Sequence, residues 1–120
     1  MQPVTVLCRA PEGLATPEVS VEVYLGPGLP GLSIVGLVET AVKESRDRVR
    51  AAIRSSGFEM PDRRIVVNLA PADRRKHGAA YDVAIAIGIL LASEQIRASG
   101  GPWALLGELS LDGGVMPVTG

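Results

Sequence analysis

Hydrophobic and polar positions along the chain fall into short, distinct periods. Val19, Val21 and Val23 alternate with Ser20, Glu22 and Tyr24, the two-residue repeat of a strand with one face on a core and one face in water. Val4 and Val6 predict an earlier short strand, and Pro11, Gly13 and Pro17 force a loop after it. Gly26, Pro27, Gly28, Pro30 and Gly31 then lead to Leu32, Ser33, Ile34 and Val35, which predicts a hairpin pairing the two flanking strands antiparallel. From Leu37 to Ser56 the period changes. Val38, Ala41, Val42, Val49, Ala52 and Ile53 recur at helical spacing, and Glu39 with Lys43 and Glu44 with Arg48 stand four apart, as ion pairs on a wet helix face do. Gly57 is placed to end this helix in a left-handed cap, and Pro61 bars its return.

The stretch from Ile65 to Ser93 organises the rest. Ile65, Val66 and Val67 are a β-branched run that reads as a buried strand. Past Pro71 the chain enters a polar loop holding Asp73, Arg74, Arg75, Lys76 and His77. Ala79 to Leu91 is small or apolar on nearly every side except at Tyr81 and Asp82, which predicts a helix buried all round. Downstream, Ser99 to Pro102 break the chain, Ala104–Leu109 reads as a strand, Asp112–Gly114 as a tight turn, and Val115–Val118 as the returning strand of a hairpin.

Composition narrows the class. A chain of 120 residues is one domain, and with one Trp and one Phe its core has to be aliphatic. No apolar run reaches the roughly 18 residues of a membrane span, and the opening MQPVTVLC has neither a basic start nor a secretory apolar region. A cytoplasmic protein without membrane partners is the expectation. The lone Cys8 cannot form an internal disulfide, and its apolar neighbours mark a buried thiol. Net charge is −1, yet residues 43–76 hold ten cations against five anions. Such asymmetry is compatible with an anionic partner on one face. Within it Arg46, Arg50 and Arg54 repeat every four residues, either as a solvated face balanced by Glu44 and Asp47 or as a stripe that meets phosphates.

Catalytic chemistry is sparsely represented. The GPGLPG run lacks the Gly-Lys-Ser/Thr ending that seats a lysine on phosphate and a hydroxyl on magnesium, so it reads as a turn. Lys76 and His77 precede the buried helix, but Gly78, Ala79, Ala80 and Tyr81 offer no serine or cysteine for them to activate. One His and one Cys cannot build the usual zinc site. Asp82 reads as a first-turn or cap carboxylate favoured by the helix dipole, and His77 as an exposed loop residue.

The runs GLPGLSIVGL, ETAVKESRDRVRAAIRSSGFEMP, RRIVVNLAPAD, KHGAAYDVAIAIGILLAS and LLGELSLDGGVMPVTG, in this order, resemble the N-terminal region of the magnesium-chelatase-like AAA+ ATPases of the YifB/ComM family. The resemblance implies that residues 1–120 are a ChlI-type, Lon-protease-like domain truncated at its C-terminal side. The AAA+ module with its P-loop, ATP and magnesium would then lie outside this chain. It implies an α+β fold of the ribosomal protein S5 domain 2-like type, similar to the proteolytic domain of Lon and the C-terminal domain of RadA. Such a fold is a mainly antiparallel sheet packed on two helices with a left-handed βαβ crossover.

In Lon-type proteases a Lys-Asp-Gly-Pro-Ser-Ala segment carries the nucleophile. Lys76 to Tyr81 form the similar run, with Ala80 where the serine would stand, and the partner lysine would fall beyond Gly120. The resemblance therefore implies a domain with no catalytic, cofactor or metal residues of its own. Its partners would be its own AAA+ module, further copies in a homo-hexamer, and DNA handled by a helicase or branch-migration motor of bacterial transformation or recombination. Expected DNA contacts are Arg46, Arg50, Arg54, Arg74, Arg75 and Lys76, acting through phosphate charge. The competing expectations are a divergent Ser-Lys peptidase and a purely structural oligomerisation module.

Overall fold

The computed structural model describes residues 3–9, 18–70, 81–97 and 116–118. Its elements follow in the order β1 (Val4–Arg9), β2 (Glu18–Gly26), β3 (Gly31–Val35), α1 (Glu39–Ser55), β4 (Arg64–Ala70), α2 (Asp82–Ala92) and β5 (Met116–Val118). The strands form one sheet in the order β3-β4-β2-β1-β5. Pairings β1 with β2, β1 with β5 and β2 with β4 are antiparallel, and β3 with β4 is parallel. The result is a small α+β domain. Both helices contribute to a core on one side of the sheet, where Val6, Val21, Val23, Leu32, Ile34, Ile65 and Val67 meet Val49 and Ile53 of α1 and Val83 to Leu90 of α2. On the opposite sheet face Tyr24, Ser33, Val35, Arg64 and Asn68 are exposed.

The expected β2–β3 hairpin does not form. β4 lies between the two strands, so β3 keeps its antiparallel sense relative to β2 but pairs with β4, Leu32 opposite Ile65 and Ile34 opposite Val67. The reason is burial. β4 carries Ile65, Val67 and Leu69 in the core and is hydrogen-bonded along both edges, which suits the most apolar strand of the sheet. Skipping one strand asks the intervening loop to span roughly 10 Å, within reach of four residues at about 3.3 Å each, and Pro27 and Pro30 suit an extended link better than a two-residue turn.

α1 starts two residues later and ends one residue earlier than its periodicity predicts. Its end is closed as expected: Gly57 adopts φ +88°, its N–H donates to Arg54 O at 3.1 Å, and the Phe58 N–H donates to Ile53 O at 3.0 Å. α2 ends by the same pair of bonds, Glu94 N–H to Leu91 O at 3.1 Å and Gln95 N–H to Leu90 O at 2.9 Å. Here the left-handed position belongs to Glu94, at φ 62°. Gln95 then uses its side-chain amide as a strand would use its backbone, accepting from Glu59 N–H at 2.8 Å and donating to Glu59 O at 2.6 Å. α2 is buried from Asp82 to Leu90, as its nearly uniform apolar sequence predicts. It approaches the sheet at Gly88, where a Cβ would stand 2.5 Å from Val23 Cγ2.

The strand read over Ala104–Leu109, the turn at Asp112–Gly114, the expected helix start at Ala79 and Ala80, and the Cys8 side chain lie outside the described residues. The final expected strand is present as β5, paired with β1.

Two stability outcomes follow. Gly88→Ala is expected to lower stability by about 1–3 kcal/mol through overpacking, despite alanine's better helix propensity, read as a lower urea midpoint at unchanged m-value. Glu94→Gly is expected to raise it by about 0.5–1 kcal/mol, because it removes the Cβ penalty of the left-handed backbone against a smaller entropy loss. A lower midpoint for Glu94→Gly would contradict that account of the cap.

Candidate functional site

Two polar side chains are buried among the described residues, Ser45 and Asp82, and they touch. Ser45 Oγ donates to Asp82 Oδ1 and Arg48 Nε donates to Asp82 Oδ2, each at 2.5 Å. Arg48 is half-buried, and its distance to Glu44 is 3.9 Å, so Asp82 is its principal partner. The ion pairs expected on the wet face of α1 are thus only partly formed. Arg48 turns inward, and no Glu39–Lys43 pair is found among the described residues. Asp82 is indeed in the first turn of α2, but Tyr81 is the N-cap, and the carboxylate joins α2 to α1. The signal missed in the sequence is Ser45, which stands in the buried row Ala41, Ser45, Val49, Ala52 of α1.

Ser45, Arg48 and Asp82 form a buried polar link between the two helices. Its hydroxyl is fully buried and held by a carboxylate, an arrangement that fixes position. Among the described residues no group of three His, Cys, Asp or Glu side chains is placed to hold a metal ion.

The exposed chemistry lies on the other side of α1. Arg46 is half-buried, and its Nη1 donates to Leu32 O of β3 at 3.5 Å. Arg50 and Arg54 line a groove of about 340 Å³ whose apolar floor includes Leu32, Met60 and Ile65, with Asp62 on its wall. A second groove of about 670 Å³ runs between β3 and the first half of α1, past Ser33, Leu37, Val42, Lys43 and Arg46. No ion pair is found for Lys43, Arg46, Arg50 or Arg54 among the described residues; the pairs present are those of Arg48. Glu44 and Asp47 form no ion pair with the row.

Three of the six expected DNA contacts, Arg46, Arg50 and Arg54, therefore share one flank of α1. Arg74, Arg75 and Lys76, together with His77 and Ala80, lie outside the described residues. The chain leaves β4 towards them at Ala70, about 17 Å along the strand from the Ile65 floor of the arginine groove.

The family model described as subunit ChlI of Mg-chelatase matches residues 21–120 of this chain. The chain belongs to the ChlI family. Among proteins similar to this ChlI-family chain is the uncharacterized protein YifB of Escherichia coli (strain K12), 52% identical over 113 residues, covering 93% of this chain and 22% of that protein. Competence protein ComM of Haemophilus influenzae is 47% identical over 116 residues, covering 96% of this chain and 23% of ComM. This ChlI-family chain thus spans less than a quarter of the length of these relatives.

Removing the buried carboxylate is the direct test of the α1–α2 link. Asp82→Ala is expected to cost about 3–5 kcal/mol in urea unfolding, since it leaves the Arg48 charge and the Ser45 hydroxyl without their acceptor. Glu44→Ala, at the exposed end of the same chain of contacts, is expected to change stability by less than about 0.5 kcal/mol. Equal effects would show that Asp82 is not the anchor.

Proposed function

We propose that this chain is the non-catalytic accessory domain of a magnesium-chelatase-like AAA+ ATPase, and that it engages DNA through the arginine row of α1. The observation that carries the reading is Arg46, Arg50 and Arg54 side by side on one helix flank without carboxylate partners among the described residues. Guanidinium groups left unpaired at the surface bind phosphate by charge and by paired N–H donors. Arg74, Arg75 and Lys76 extend the same chemistry in the sequence and belong to the proposed contact set.

The wider assignment rests on family membership and on the residue runs quoted above. The fold is proposed as the S5 domain 2-like type, with the β3–α1–β4 unit as its left-handed crossover. The strand order and the single parallel pair among the described residues support that placement. Peptidase chemistry is set aside because Ala80 occupies the nucleophile position of the similar Lon segment and alanine has no group to attack a carbonyl. ATP and magnesium are assigned to the AAA+ module of the longer protein. The assembled state is proposed as a cytoplasmic homo-hexamer acting as a branch-migration motor on DNA, in keeping with the word competence in the name of one relative. No helix among the described residues is long and apolar enough to cross a membrane.

The test is a salt titration of oligonucleotide binding by the full-length protein. Replacing Arg46, Arg50 and Arg54 by alanine is expected to weaken binding and to lower the slope of log affinity against log salt by roughly 2–3 on duplex DNA, close to one per lost phosphate contact. An unchanged affinity and slope would exclude this face as the DNA contact.

A further inference from the structure

The outer edge of β3 is the other feature of this flank, and no described strand pairs with it. Among the described residues β3 is the terminal strand of the sheet and is paired with β4 alone. Gly31 N–H donates to Arg63 O at 3.2 Å, so the backbone groups of Gly31, Ser33 and Val35 face β4 and those of Leu32 and Ile34 face outward. The long Arg46 contact to Leu32 O agrees with that alternation. Edge strands are commonly protected by charge, proline or a bulge. The GLSIV sequence of β3 has none of these. Its protection among the described residues is one guanidinium at 3.5 Å.

We infer that this edge takes an extended acidic peptide by strand addition, through backbone groups that the proposed DNA contact does not use. A strand laid beside β3 would place alternate side chains in the groove between β3 and α1, against Leu37 and Val42, and the others beside Ser33 and Val35 on the opposite sheet face. Charge selects the occupant. The groove carries Lys43 and Arg46 against Glu39 alone, so carboxylates on the helix side of the added strand are favoured. A second copy of β3 is not, because GLSIV brings no carboxylate and a two-fold pairing would bring the Lys43 and Arg46 of two copies together.

Binding exchanges contacts cleanly. The incoming N–H takes Leu32 O, the Ile34 N–H and carbonyl gain partners, and the released Arg46 guanidinium turns to the peptide carboxylate.

The probe is a seven-residue peptide with threonine at alternate positions and glutamate and valine between them, titrated into the chain and followed by backbone amide NMR. The expected result is shifts centred on β3, with the Leu32 and Ile34 amides slowed in hydrogen exchange. N-methylation of one alternating set of peptide amides is expected to weaken binding by about tenfold or more, and of the other set hardly at all, because only one set faces β3. The paired variant Lys43→Glu with Arg46→Glu is expected to weaken the acidic peptide by about tenfold and to favour a lysine-substituted one. Equal effects of the two methylation sets, shifts mapping elsewhere, or absence of binding would overturn the inference. So would a concentration-dependent dimer paired through β3, or an oligonucleotide producing the same shifts in the Leu32 and Ile34 amides. Loss of DNA binding in the Arg50→Ala, Arg54→Ala variant with peptide binding intact would separate the two surfaces and support it.

Discussion

The arrangement of this domain depends on a carboxylate buried between its two helices. Taking a charge out of water costs several kcal/mol, and the cost is met only when partners with good geometry surround it. Asp82 finds them three residues apart on α1, at Ser45 and Arg48. Since both must face α2, the rotation of α1 about its own axis is settled. Every residue then has a fixed direction: at roughly 100° per residue, Lys43, Arg46, Arg50 and Arg54 fall about 100–180° round the helix from Ser45. The interior contact thereby aims the cationic row at solvent.

Much of this was readable in the residues, for reasons that differ by element. α1 and α2 announce themselves by local pattern, one amphipathic and one apolar throughout, and patterns of ten or more residues survive tertiary context. Both helix ends are likewise local events, although the left-handed residue of α2 is Glu94, where no glycine marks it. In sequence Arg48 belongs to the wet face, where Glu44 four residues earlier offers a partner; in the fold the nearer one is Asp82, thirty-four residues away. The β2–β3 connection failed differently. Proline and glycine there signal a reversal of direction correctly, but nothing within the loop says that a later strand will insert between its two arms.

Of the candidate site, the arginine repeat was legible as a repeat and ambiguous as chemistry. Its ambiguity lay in Glu44 and Asp47, which in sequence are close enough to neutralise it. In the fold they form no ion pair with it, and the row gains a neighbour that no periodicity reveals, the outer edge of β3. The two features offer different recognition: fixed charge on long side chains, and backbone donors and acceptors at strand spacing. Arg46 belongs to both, since its guanidinium lies against Leu32 O while its helix position continues the row.

The insertion of β4 between β2 and β3 also governs the order in which the molecule can be built. As the chain emerges from a ribosome, Gly31–Val35 is made well before Arg64–Ala70, its partner among the described strands, and α1 is made between them. Until that later segment arrives, the nascent Leu32 and Ile34 have no sheet to join. A domain of this connectivity closes its sheet late, through contacts distant in the chain, and shelter of that interval falls to α1 and to whatever receives the nascent chain.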